Sequence, residues 1–333
     1  MKVSFYTVRG DLRQDNGFGY AGQNIRESLS NLGHSVSLFD DTADIQLNFC
    51  HPVYYEPNNQ YQIGYSPWES TALPKGWLEG FNSVDEVWTT SPKCKEWFYN
   101  AGVTKPIHVY EHGIEPIWTP KHRKPNRKIK FLHLGEPAPR KGGQLAFEAF
   151  RDAFGNQDDV QLTIKANGHN TTRAYVQGFR RGGPRNILGL PHQVYQNVSL
   201  IEDSLSLEEL VALYHSHDVL VYPSWGEGFG LIPLQGLATG MPTICTGEWA
   251  PYQRFLGNLA LDSHEVPSPW PDFHPGLMTE PDREHLIELY RYSYENFTAL
   301  SKIHFDNAED VHSEYNWNTL TKNAFNHLEN RFK

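Results

Sequence analysis

The sequence predicts an α/β protein built from two successive domains, each a parallel sheet covered by helices, facing one another across a cleft. Three observations carry that expectation. Short apolar runs of strand length alternate with stretches of helical periodicity, the pattern of parallel sheets buried on both faces. A basic stretch punctuated by Pro116, Pro120 and Pro125 breaks the alternation, which then restarts. A chain of 333 residues also exceeds one ordinary hydrophobic core.

In the first domain, residues 3–8 read as a strand. Residues 17–30 read as a loop followed by a helix whose Ile25, Leu29 and Leu32 share one face, with Gly33 and His34 as its C-cap. Strands are expected over 35–39, 44–50, 62–65, 85–89 and 106–110, with a helix over 92–102 ending in glycine. The second domain restarts with a strand over 130–134, a helix over 143–154 and a strand over 160–165. A helix over 206–216 leads to the apolar strand 219–222, a glycine-bearing turn, a helix ending at Gly240 and Pro242, and a strand over 243–246. Residues 282–300 and those from 303 onward are helical. The stretch 166–197 is longer than a connection needs and carries Arg173, Arg180, Arg181 and Arg185.

Composition narrows the class. Hydrophobic content of 39%, with 13% aromatic residues, belongs to a folded chain and excludes a disordered one. No apolar run approaches the ~18 residues that cross a bilayer, and the opening residues are too short and strand-like for a signal peptide. Cys50, Cys94 and Cys245 lie far apart without metal-ligand spacing, which points to a reducing compartment. A soluble, cytoplasmic protein without a transmembrane segment is expected. The net charge of −10 hides an asymmetry: −6 over 1–120, +9 over 121–190 and −13 over 191–333. A basic island in an acidic chain suggests an anionic ligand, with a solvated surface as the alternative.

The chemistry concentrates in the turn after strand 219–222. A strand entering a helix through Gly228 and Gly230 forms an anion site, because the first helical N–H groups lack partners and the helix dipole favours negative charge. Glu227 beside it suits sugar hydroxyls, since a carboxylate accepts several hydrogen bonds. Arg140 and Lys141, at another strand-to-helix turn, suit charge building on a departing diphosphate. Gly17 and Gly19, with Gly22, lie in the first strand-to-helix loop and permit close approach to a phosphate or sugar. No Asp-x-Asp pair offers a clamp for a metal, so neither metal nor cofactor is expected.

The run from Glu227 to Gln235 resembles the nucleotide-sugar signature of retaining GT-B glycosyltransferases of family 4, in which two acidic residues are separated by seven intervening positions. Here Gln235 occupies the second position. Further matches follow in order: Thr90, Ser91, Gly102, His112, Gly113, Glu115; then Gly135, Arg140, Lys141, Gly142; then Pro281, Asp282, Leu286; then Tyr315, Asn316, Trp317. The resemblance implies a GT-B fold: a Rossmann-like acceptor-side domain with linker over 1–125, a Rossmann-like donor-side domain over 126–305, and a C-terminal helix over 306–333 crossing back to the first domain. It implies transfer of a sugar from a nucleoside-diphosphate donor to an acceptor hydroxyl with retention. Glu227, Arg140 and Lys141 would be catalytic, with Glu227 on the sugar and the two cations on the diphosphate. Gln235 would hold the ribose, the amides of Gly230 and Leu231 would face the phosphates, and Gly17 and Gly19 would lie on the donor.

Acceptor-side candidates are His51, Glu69 and His112, each just beyond an inferred strand. The family often has a histidine in the loop that here reads Tyr65, Ser66, Pro67, Trp68, Glu69. The basic island suggests an anionic acceptor, such as a hydroxylated DNA base, a lipid surface or a phosphorylated glycan. Arg180, Arg181 and Arg185 would contact it, and Lys121, Arg123, Lys124, Arg127 and Lys128 would line the cleft mouth. A nucleotide-sugar epimerase of the same fold and a non-catalytic sugar-nucleotide or glycan-binding protein are the alternatives.

Overall fold

The computed structural model describes residues 1–7, 17–56, 58–124, 128–166 and 196–332. Two six-stranded, wholly parallel sheets form separate layers. The first comprises β1 (Lys2–Tyr6), β2 (Ser35–Leu38), β3 (Ile45–Phe49), β4 (Tyr61–Tyr65), β5 (Glu86–Thr89) and β6 (Ile107–Val109), in the order β2-β1-β3-β4-β5-β6. Its helices are α1 (Gly17–Asn31), α2 (Trp77–Ser83) and α3 (Pro92–Asn100). The second comprises β7 (Ile129–Leu134), β8 (Val160–Lys165), β9 (Val198–Ile201), β10 (Val219–Tyr222), β11 (Thr243–Thr246) and β12 (Ala260–Leu261), in the order β12-β11-β10-β7-β8-β9. Around it lie α4 (Gly143–Phe154), α5 (Leu207–His215), α6 (Leu231–Ala238) and the short α7 (Gln253–Leu256).

Strand order locates the crevices. Both sheets reverse direction at one point, between β1 and β3 in the first domain and between β7 and β10 in the second. Ligands of open α/β sheets bind beyond the carboxyl ends of the strands at such switch points. The loops after β7 and β10 carry Arg140, Lys141 and Glu227, so the sequence motif falls where topology opens a crevice.

Local sequence explains the element ends. Ser91 caps α3 by accepting from the Cys94 amide, with Pro92 in the first turn, where a missing N–H costs nothing. Ser206 and Glu209 form a capping box on α5. Strand Val219–Tyr222 is buried at every position and reads as a continuous apolar run, whereas the equally buried Ile45–Phe49 alternates, its Gln46 amide donating to Asn48.

The linker departs from expectation. Arg123 does not line the cleft mouth: it is buried, and its guanidinium donates to the carbonyls of Tyr214, His217 and Thr239. These carbonyls lie at the ends of α5 and α6, so one cation serves the negative ends of two helix dipoles and adds a charged donor to acceptors there. Lys121 likewise donates to the His215 carbonyl. Arg127 lies outside the described residues.

The helical tail divides into α8 (Arg283–Glu295), α9 (Phe297–Glu314) and α10 (Trp317–Arg331). Helix α9 buries Leu300, Ala308 and Val311 and packs on α6 of the second domain. The return to the first domain falls at Tyr315–Trp317 rather than at 306, because α9 is one continuous helix. Helix α10 then crosses back, lodging Phe325 and Leu328 in the first domain's core beside Val3, Ile25 and Leu29. The Ile114 amide donates to the Tyr315 carbonyl at 2.7 Å, so the two chain crossings between the domains are hydrogen-bonded to each other. Six elements stand beyond the expected set: α2, β9, α7, β12 and a hairpin of β13 (Ser263–Pro267) with β14 (Leu277–Pro281).

Candidate functional site

Strand β10 ends at Tyr222, and the turn that follows presents Glu227 at the base of the cleft. The carboxylate is nearly buried, at 9% side-chain exposure. Its Oε1 accepts from Lys141 Nζ (2.6 Å), the Tyr222 hydroxyl (2.8 Å) and the Ser224 hydroxyl (2.9 Å), and Arg140 Nη1 lies 3.2 Å away. Four donors thus converge on one oxygen, which leaves Oε2 as the edge this network does not use. Burial alone would raise this carboxyl, but Lys141 and Arg140 outweigh it and hold the group at about 2. Burial and the neighbouring Arg140 lower the Lys141 ammonium, with Glu227 pulling the other way.

Arg140 sits in a 3₁₀ turn, Pro139–Lys141, immediately before α4. Besides Glu227 it reaches the Gly226 carbonyl and, across the cleft, Glu69, with Nη2 to Oε1 at 3.6 Å. Burial opposes its charge, but Glu227 and Glu69 raise it above the ordinary arginine value. The first domain therefore contributes Glu69 directly to the cluster built by the second. The expected trio of Glu227, Arg140 and Lys141 stands together, and Glu69 joins it.

The turn's glycines have two physical reasons. Gly230 begins α6 with φ +83°, and a Cβ there would meet Trp249 and the Tyr252 hydroxyl, which itself donates to the Gly230 carbonyl at 2.6 Å. At Gly228 a Cβ would collide with Pro67 of the opposite domain. Thr90 donates to the Gly228 carbonyl at 2.6 Å. Gly230 is the N-cap residue of α6 and Leu231 its first helical residue.

Other candidates are placed differently. Gln235 is buried within α6, and its Oε1 accepts from Tyr214 at 3.2 Å while its side chain also faces Tyr20. Gly17 and Gly19 do not form a loop: they lie in the first turn of α1, with Gly19 buried. His112 is buried in an aromatic layer with Phe49, Tyr65, Phe229 and Trp317, and neither ring nitrogen finds a hydrogen-bond partner among the described residues. Burial drives its imidazole down to about 3, so it stays neutral. His51 is exposed beyond β3, with its ring 5.0 Å from that of the buried Trp77, which stands 4.4 Å from Trp68. Arg180, Arg181 and Arg185 lie outside the described residues.

One group escaped the sequence. His274, at the tip of the β13–β14 hairpin, places Nδ1 3.9 Å from Glu69, and burial lowers it to about 4 against the pull of that carboxylate. The hairpin spans the cleft, since the Thr71 amide of the first domain donates to the Leu277 carbonyl. Its tip, rich in proline and tryptophan from Pro267 to Gly276, was the available signal. A cavity of about 250 Å³ opens beside the cluster, between the start of α4 (Gly142, Gln144) and the rings of Trp225 and Trp270. A larger hollow of about 860 Å³ lies on the outer face along α3, away from these carboxylates.

Residues 89–250 match the family described as Family 4 Glycosyltransferase in conflict systems. A D-inositol 3-phosphate glycosyltransferase of Corynebacterium urealyticum is 35% identical over 98 residues, 27% of this chain and 23% of that protein. The chain thus spans under a quarter of that relative's length. A putative glycosyltransferase of Sulfolobus islandicus filamentous virus is 21% identical over 80% of this chain and 78% of its own. Sucrose-phosphate synthase of Thermosynechococcus elongatus superposes with a TM-score of 0.67 at 15% identity, covering 99% of each chain. The fold is GT-B, and the chain is similar to the family 4 glycosyltransferases.

Proposed function

We propose that this GT-B chain, similar to family 4 glycosyltransferases, transfers a sugar from a nucleoside-diphosphate donor to an acceptor hydroxyl with retention of anomeric configuration. The observation that carries the reading is the cluster itself. A carboxylate held ionised by two cations sits at a switch-point crevice beside a helix N-terminus. Glu227 accepts hydroxyls of the donor sugar through Oε2. Arg140 and Lys141, now neutralised by Glu227 and Glu69, turn towards the diphosphate and take up the charge that grows on it as the glycosidic bond breaks. The leaving phosphate, held on the same face as the incoming hydroxyl, accepts the acceptor's proton, so no protein base is required.

The acceptor enters past His51, which is exposed beyond β3, toward the half-buried Glu69. A phosphorylated polyol or glycan agrees with relatives whose names carry inositol 3-phosphate and sucrose-phosphate. A hydroxylated nucleic-acid base or an anionic lipid surface would rest on the basic segment beyond the described residues. No helix among the described residues is long and apolar enough to cross a membrane.

The test is incubation with UDP- and GDP-sugars without acceptor. Slow release of free sugar supports a transferase. A new sugar nucleotide would instead indicate an epimerase, and binding without turnover a non-catalytic module. Glu227→Ala should abolish release yet leave nucleoside-diphosphate binding largely intact, since its bonds go to sugar. Unchanged turnover in the folded variant removes Glu227 from the site.

A further inference from the structure

A second cluster lies at the far edge of the first sheet. Glu86 opens β5, so it stands toward the end of the sheet away from the cleft. Register pairs Trp88 with His108 on β6, which places Glu86, Trp88 and His108 on one face. Helix α10 crosses that face and adds His327. The His327 Nε2 lies 3.1 Å from both Glu86 oxygens, and His108 Nε2 lies 3.5 Å from Oε2. All three ligating atoms fall within 4.8 Å of one another.

Burial makes this more than a surface ion pair. The Glu86 side chain is 4% exposed, whereas the histidines are 45% and 43% exposed. Among the described residues, the groups within ion-pair distance of this buried carboxylate are those two imidazoles. Burying a carboxylate is costly unless its charge is met. A dication held between the carboxylate and the two imidazole nitrogens supplies that charge. The carboxylate is also oriented from behind: Trp88 Nε1 donates to Oε1 at 2.8 Å and the Tyr61 hydroxyl to Oε2 at 3.3 Å. Such outer hydrogen bonds are what aim a metal ligand.

We propose that Glu86, His108 and His327 bind a divalent transition cation of the zinc class, which clamps helix α10 to the edge of the first sheet. Two nitrogens and one carboxylate oxygen suit zinc, with water as a fourth ligand. Tetrahedral ligands stand roughly 3.3 Å apart at zinc bond lengths, so the half-exposed rings, stacked 4.9 Å apart, need only a small rotation. The residues are remote in sequence, and for that reason no ligand spacing announced them.

The experiment titrates the chelator-treated full-length chain with Zn²⁺, following calorimetry and Tm, and with Co²⁺, following visible absorption. One ion per chain and a Zn²⁺-dependent rise in Tm are expected. His108→Asn and His327→Asn should each lower Zn²⁺ affinity by about 100-fold or more, and Tyr61→Phe by about tenfold, the scale of a lost outer hydrogen bond. Far-UV circular dichroism of the metal-free variants verifies folding. His264→Asn, which removes an exposed histidine paired with Glu280, should change nothing. Wild-type protein that takes up no Zn²⁺ at micromolar concentration overturns the proposal. So does a double His108→Asn, His327→Asn variant that keeps its stoichiometry and Tm rise.

Discussion

Gly228 shows how closely the residue scale is coupled to the rest. Its carbonyl accepts from Thr90, and the Cys94 thiol lies 3.4 Å from the same oxygen. With Pro67 against its Cα, no side chain fits while the domains are closed. Gly228→Ala should therefore leave the second domain folded and nucleotide binding near wild type, but lower turnover by about 100-fold, the cost that a misplacement of about 1 Å can carry. Steady-state kinetics beside nucleotide calorimetry checks it, and equal losses in both would mean a folding defect instead. Gly230→Ala differs, because φ +83° and the Trp249 and Tyr252 contacts belong to one domain. That variant should lose about 1–3 kcal/mol of stability in chemical denaturation.

At the scale of elements, Arg123 and Ser206 bound the range of capping effects. Ser206→Ala removes one partner of an exposed capping box and should cost about 1 kcal/mol. Arg123→Met leaves the carbonyls of Tyr214, His217 and Thr239 short of their donor and should cost about 3 kcal/mol or more. Equal midpoints for the two variants would count against the helix-end role. The pair also marks what a sequence can disclose. Ser206 with Glu209 is a local signal, readable three residues apart, and the buried strand 219–222 was legible as an unbroken apolar run. Arg123 gave no such sign: within a basic, proline-rich stretch it looked solvated, and only the convergence of two helix ends makes it internal. The seven-residue α2 is shorter than the periodicity that would reveal it, and its place is set by Trp77 and Phe81 packing into the first domain. In the same way Glu227, Arg140 and Lys141 were legible through motif and turn chemistry. His274 was not, because a hairpin from elsewhere in the chain delivers it.

For the whole molecule, buried histidines set the response to acid. Burial lowers His112 to about 3 and His133, His217, His274 and His304 to about 4. Unfolded, each titrates near 6.5, so between ~6.5 and ~4 the unfolded chain binds protons that the folded chain refuses. Stability is complete above ~6.5 and falls as pH drops through that window, by about 3 kcal/mol per histidine at full effect. Burial raises Glu111, Glu115 and Asp218, which gain stability in acid and offset part of the loss. Glu227 adds its own loss only at lower pH, as its carboxyl nears about 2. Denaturation monitored by tryptophan fluorescence should show stability declining steeply from pH 6.5 to 4.5. A flat profile across that range would refute the assignment of these histidines as neutral in the fold.

The paired crossings at Ile114 and Asn316 govern how the two halves can move. A single tether would let one domain swing and spin freely against the other. Two adjacent strands, bridged in parallel and joined by the Ile114–Tyr315 hydrogen bond, act as a door hinge instead. They leave one easy rotation and resist twist. A rotation about that hinge would carry Glu69 and Arg140 apart and back along one arc, so the contact between them has one register to return to.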